Sequence, residues 1–178
     1  MSDQKSKEVS GKISSAEIDQ AVLQRYLQEI RDNQNLVAGF MGGIVAAAIG
    51  AIIWAMITAE KNRQFVWMAI GVGFFVGSTV RRFGKGIDRS FGIVGAVLSL
   101  LGCLAGNLFS ACIIISYQEG MNLLEVLSRL NPQIVVELMK VIFDPVDLLF
   151  YVIAMCMGYK FSLRTITKEE MAKMVKQS

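Results

Sequence analysis

Histidine is absent from the 178 residues, and there are only two prolines and three cysteines. Without imidazole the chain lacks the commonest general base and the commonest metal ligand, and Cys103, Cys112 and Cys156 form no thiolate–imidazole ligand pattern. No metal or cofactor is expected. All three cysteines fall inside apolar runs, so a disulfide framework is not expected either. No nucleophile stands beside an identifiable base and no carboxylate pair lies within an apolar run, so no catalytic residue is assigned and the chain reads as a non-enzyme. Charge is missing too: Leu36 to Thr58 and Phe91 to Ser116 contain no charged residue at all.

Those two runs are the strongest positive signal. A hydrocarbon core of ~30 Å takes about 20 residues of helix at ~1.5 Å per residue, because backbone N–H and C=O groups must pair within the segment. The expected fold is all-α, an integral membrane bundle of about four transmembrane helices with short amphipathic helices outside the membrane. The expected spans are 36–58, 65–80, 91–116 and 146–159, within a membrane domain covering 35–166. The second is short and runs into Arg81 and Arg82, whose long side chains can snorkel to the interface. The fourth begins at Asp144-Pro145, an acidic N-cap followed by a proline whose missing N–H costs nothing at the first helical position. Asp147 then falls by the positive end of the helix dipole, at the membrane surface.

Loop charge sets the expected orientation. Arg81, Arg82, Lys85 and Arg89 crowd the short turn between spans two and three, and by the positive-inside rule that turn is cytoplasmic. Four spans then put both termini in the cytoplasm, in agreement with Arg25 and Arg31 before span one and Lys160, Arg164 and Lys168 after span four. The outer segments are poorer in base: 59–64 carries Lys61 and Arg63, while 117–144 sets Arg129 and Lys140 against Glu119, Glu125, Glu137 and Asp144. Trp54, Trp67 and Tyr117 lie near the outer ends of their spans, where amphipathic rings favour the headgroup level. The net charge of +3 is thus explained by topology, and no nucleic-acid partner is expected.

Outside the spans, residues 1–34 form a polar cytoplasmic segment, and with no cleavable signal visible the first span is expected to serve as the insertion signal. Within it, Ile18, Val22, Leu23, Tyr26, Leu27 and Ile30 recur at helical spacing after a Ser14/Glu17 capping box, which predicts an amphipathic helix over 15–32. Such a helix lies on the bilayer or on the protein, or receives a partner. The outer segment 117–144 holds two amphipathic stretches, Met121 to Leu130 and Gln133 to Phe143, broken at Asn131-Pro132. Residues 167–178 are a charged cytoplasmic tail.

Small residues mark helix faces made for close packing: Gly39, Gly43 and Gly50 in span one, Gly73 and Gly77 in span two, Gly102 and Gly106 in span three. They serve either the internal bundle or self-association, the latter expected through Gly43 and Gly50. Gly43 and Gly50 also match the spacing of Gly95 and Gly102, which leaves a duplicated helix hairpin open. The run Trp67 to Asn107, WMAIGVGFFVGSTVRRFGKGIDRSFGIVGAVLSLLGCLAGN, resembles an uncharacterised group of small bacterial multi-pass membrane proteins. The likeness rests on the glycine-rich span, the RRFGKGID turn and the LGCxxGN segment, and extends to most of the chain. It implies a bacterial inner-membrane address and carries no activity, ligand or catalytic residue.

Two features remain as candidate sites. Asn107 places a full amide near the middle of span three, where it finds an interhelical partner or lines a pore. The turn with Arg81, Arg82, Lys85 and Arg89 has glycines that free backbone N–H groups, a pattern that suits an anionic lipid or another phosphate, though it lacks Walker spacing. Asp88 pairs with a neighbouring arginine or caps span three. The expected role is a non-enzymatic membrane subunit or scaffold that assembles with itself or an unknown membrane partner; the alternative is a small channel or passive transporter with Asn107 on its path.

Overall fold

The computed structural model describes residues 20, 23–25, 27–61 and 66–164. The Ser14/Glu17 cap, Ile18, Val22, Tyr26, Arg63 and the tail 167–178 lie outside the described residues. Among the described residues every regular element is a helix. Residues 23–25 and 27–32 belong to α1, the described part of the expected 15–32 helix. Then follow α2 (Leu36–Lys61), α3 (Val66–Gly84), α4 (Arg89–Glu119), α5 (Leu123–Ser128), α6 (Pro132–Ile142) and α7 (Pro145–Ser162).

Helix starts are set by side-chain oxygens that satisfy first-turn N–H groups. Asn35 Oδ1 accepts from the Ala38 N–H at 2.9 Å, and Asn131 Oδ1 accepts from Ile134 at 2.8 Å with Pro132 opening α6. Asp144 accepts from the Val146 N–H at 3.0 Å, and its own N–H donates to Asp147 Oδ2 at 3.2 Å, a reciprocal capping box. At the other end of α4, Gly120 closes the helix at φ 62°, a left-handed conformation that glycine adopts without a Cβ clash.

By length and composition α2, over Leu36–Glu60, and α4 are long and apolar enough to cross a membrane. The pair formed by Pro132–Val141 and α7 meets the same test only jointly and is bent by 106°, so on these criteria the described residues hold two or three candidate spans, not the expected four. The basic last turn of α3 and the acidic first turn of α7 lower the apolarity of those short helices.

Helices α2 and α7 each pack against both α3 and α4, α3 touches α4, and α5 and α6 rest on α4; among the described residues α2 and α7 do not meet. The diagonal α3–α4 contact has no counterpart between α2 and α7, so the packing lacks the symmetry that a duplicated hairpin would show. Small residues fill the seams. On α2 the buried face is Gly39, Gly43, Ala46, Ala47, Gly50, Ala51 and Ala55 with Trp54, while Phe40, Met41, Ile44, Ile49, Ile52 and Met56 point outward. In water the larger side chains would be the ones withdrawn; lipid tails are as apolar as leucine and leave close van der Waals packing to decide.

A Cβ on Gly95 would fall 2.6 Å from the Gly158 carbonyl oxygen, and one on Gly158 2.5 Å from that of Gly95, so α4 and α7 meet backbone to backbone. Gly73 and Gly77 give α3 the same approach to α7; Gly39 faces Gly84, Gly102 faces Ala47, and Gly106 faces the Trp54 ring. Gly43 is filled by Leu98 and Val80, and Gly50 faces Val72. The row expected to carry self-association is therefore occupied by the chain itself, because these glycines point into the α2–α3–α4 seam.

Gly71 differs: a Cβ there would meet nothing within 4 Å, whereas one on Gly73 would fall 2.5 Å from the Ala154 carbonyl oxygen. Gly73→Ala is expected to lose about 1–3 kcal/mol by overpacking, while Gly71→Ala stabilises by roughly 0.5–1 kcal/mol through helix propensity. Reversible unfolding in mixed micelles checks both signs.

Candidate functional site

Asn107, on α4, is 4% exposed, and both ends of its amide are engaged. Trp54 Nε1 of α2 donates to Asn107 Oδ1 at 2.8 Å, and Asn107 Nδ2 donates to the Tyr151 hydroxyl of α7 at 2.7 Å. The indole N–H is a donor only, so the amide orientation follows from its partner. One side chain thus joins α2 and α7, the two helices that do not touch. Trp54 is 1% exposed, which corrects its reading as a headgroup anchor: its ring lies over Gly106 and its N–H is spent inside the bundle. Trp67 and Tyr117 are 80% and 82% exposed.

Asp147 sits one helical turn before Tyr151 and is 2% exposed. The capping box holds it in the first turn of α7, at the positive end of the helix dipole as expected, with its side chain buried within the protein. Ser99 and Ser110 donate back to the carbonyls of Gly95 and Gly106, at 2.7 Å each, and add no site.

At the opposite end of the bundle, the turn between α3 and α4 is gripped from two directions. The Asn35 N–H donates to the Gly84 carbonyl at 2.9 Å, and the Arg164 N–H donates to that of Gly86 at 3.0 Å. Gln34 bridges the turn: its Oε1 accepts from the Ile87 N–H at 3.2 Å, and its Nε2 donates to Asp88 Oδ2 at 2.7 Å. Arg31 pairs with Asp88 Oδ1 at 3.4 Å, so the acid's partner comes from α1 rather than from a neighbouring arginine. Asp88 occupies the N-cap position of α4 without making a side-chain cap bond. Gly84 and Gly86 face the Phe91 ring, so these glycines make room for an aromatic side chain rather than a phosphate cradle.

Lys85 between them has φ 51°, a left-handed conformation that costs a residue with a Cβ about 1–2 kcal/mol. Its N–H donates to the Arg81 carbonyl at 2.9 Å and closes α3. Arg81, Arg82, Lys85 and Arg89 are all exposed, and among the described residues none has an ion-pair partner. They form one basic end, well separated along the helices from Asn107.

Sequence reasoning missed Gln34, Asn35 and Tyr151 as participants. The polar run Asn33-Gln34-Asn35 ahead of α2 was a visible signal for the first two. Nothing in the sequence singled out Tyr151.

An apolar cleft of about 240 Å³ runs between α2 and α3 over Gly50, Gly71 and Val72, and a larger one of about 710 Å³ lies at the end of the bundle away from the α3–α4 turn, among Glu60, Ser116, Tyr117 and Asn122. Neither is lined by Asn107. Among the described residues no group of three metal-ligating side chains converges. Compared with protein-family models, with curated proteins and with solved structures, the chain matches none.

Asn107→Leu would leave the Trp54 N–H without its acceptor and the Tyr151 hydroxyl without its donor. The expected loss is about 1–3 kcal/mol, against roughly 0.6–1.7 kcal/mol for Tyr151→Phe, which breaks one interhelical bond. A double-mutant cycle on unfolding free energy in micelles should show coupling; additivity would mean that the Asn107–Tyr151 bond contributes nothing.

Proposed function

We propose that the chain is a four-span membrane protein with its basic end in the cytoplasm, serving as a non-enzymatic structural subunit or scaffold. The observation that carries this reading is the outward display of large apolar side chains, clearest on α2, whose buried face is small residues around Trp54. How the ends meet supports four crossings. Asn35 bonds to Gly84, so α2 and α4 start at the same end, and a chain in which both cross must return through α3. Arg164 bonds to Gly86, which brings the end of α7 back to that end. Helices of 19 and 18 residues reach ~28 and ~27 Å, close to the ~30 Å of a hydrocarbon core. With α7 upright, the 106° bend lays α6 along the outer face, where its amphipathic residues suit an interface.

Orientation rests on the sorting of charge between the two ends. Arg31, Arg81, Arg82, Lys85, Arg89 and Lys160 share one end, whereas at the other Arg129 is already paired with Glu125 at 2.6 Å. The bacterial inner-membrane address rests on the resemblance of the Trp67 to Asn107 run. A scaffold is favoured over a channel because Asn107 spends both amide groups on protein partners amid packed side chains. Assembly with another copy or another membrane protein would use the outward aliphatic faces, since the glycine rows are filled.

Single cysteines introduced into a cysteine-free background test the topology. One at Lys85 and one in the tail should react with an impermeant reagent only from the cytoplasmic side, and one at Glu125 only from outside; labelling of Lys85 from outside would overturn the orientation. Liposomes holding the purified protein should pass ions and small solutes no faster than empty ones. Flux that disappears in a folded Asn107→Leu variant would instead establish the channel.

A further inference from the structure

The basic turn is more ordered than an orientation signal requires. Positive-inside sorting needs only the number of cations near a helix end, whatever their conformation. Here the backbone is held by Asn35 and Arg164, the Phe91 ring fills the space at Gly84 and Gly86, and Gln34 spans Ile87 and Asp88. Both carboxylate oxygens of Asp88, the turn's one acid, are occupied by Gln34 and Arg31, so the acid is directed away from the cations next to it in sequence. Lys85 holds a left-handed position that glycine would occupy without strain. Phe83, 56% exposed, stands among these cations on the last turn of α3.

Four exposed cations without ion-pair partners among the described residues, on a rigid turn whose acid is engaged, complement a phosphate in charge. An exposed phenyl ring beside them complements hydrocarbon. A phospholipid headgroup presents both together. We propose that Arg81, Arg82, Lys85 and Arg89 bind the phosphate of an anionic phospholipid of the cytoplasmic leaflet, with Phe83 inserted among its acyl chains. Arginine supplies bidentate donors to phosphate oxygens and Lys85 a point charge. Gln34 acts as a positioning residue, holding Asp88 back and the turn in place. This inference rests on the membrane reading above.

The test uses the full chain in phosphatidylcholine nanodiscs, with phosphatidylglycerol titrated in and bound lipid counted by native mass measurement. Wild type is expected to retain phosphatidylglycerol over phosphatidylcholine, with retention falling about fivefold for each cation removed in Arg81→Gln, Arg82→Gln and Arg89→Gln. Lys85→Gly should keep or raise the thermal midpoint, since strain is relieved, and still lose about fivefold in phosphatidylglycerol retention. Gln34→Ala keeps every cation and should weaken retention severalfold, while the double variant Gln34→Ala/Asp88→Asn should recover it.

Equal retention of the two lipids, or no change in Lys85→Gly, would overturn the inference. So would displacement of phosphatidylglycerol by millimolar inorganic phosphate that itself stays bound, which would mark a soluble phosphate ligand. Failure of the chain to enter phosphatidylcholine nanodiscs would defeat the membrane reading itself; entry without lipid preference defeats this inference alone.

Discussion

Backbone contact between α4 and α7 at Gly95 and Gly158 is the constraint on which the remaining geometry depends. With no Cβ on either residue the two helices close until each glycine stands against the other's carbonyl, and Ser99 and Ser162 fold back onto their own helices to fit. Similar contacts at Gly73 and Gly77 draw α3 onto α7. An interior made of small residues has room for few large ones. Trp54 is accommodated because Gly106 lies opposite its ring, and the next residue on α4 is Asn107. Packing thereby places an amide beside an indole N–H, and the polar bridge to Tyr151 follows from it.

The bridge and the basic turn illustrate two uses of polar groups in such a molecule. At Asn107 the amide oxygen and the amide nitrogen are each engaged by a protein partner, which stabilises the bundle. At the turn the backbone groups and the acid are consumed in the same way, yet the cations are left over. Gln34 marks the difference, because a single amide from the link between α1 and α2 both pins the turn and draws Asp88 away from the arginines beside it. A structural role exhausts its polar groups, and a binding role leaves some in reserve.

What the residues determined alone was whatever depends on near neighbours in the chain. Two uncharged runs produced two helices long enough to span, and Asn131-Pro132 and Asp144-Pro145 began helices where capping chemistry says they should. These rules act over about one helical turn, ~5.4 Å of rise, and need no knowledge of the rest of the molecule. Tertiary structure decided the partners. Trp54 went inside rather than to the headgroups, Asp88 to Arg31 rather than to Arg89, and the glycines of α2 to its own neighbours rather than to a second copy. Each of these depends on how far one helix is rotated about its axis relative to another, and in a glycine-rich helix of weak amphipathicity no local pattern specifies that rotation. Close packing of the small residues does.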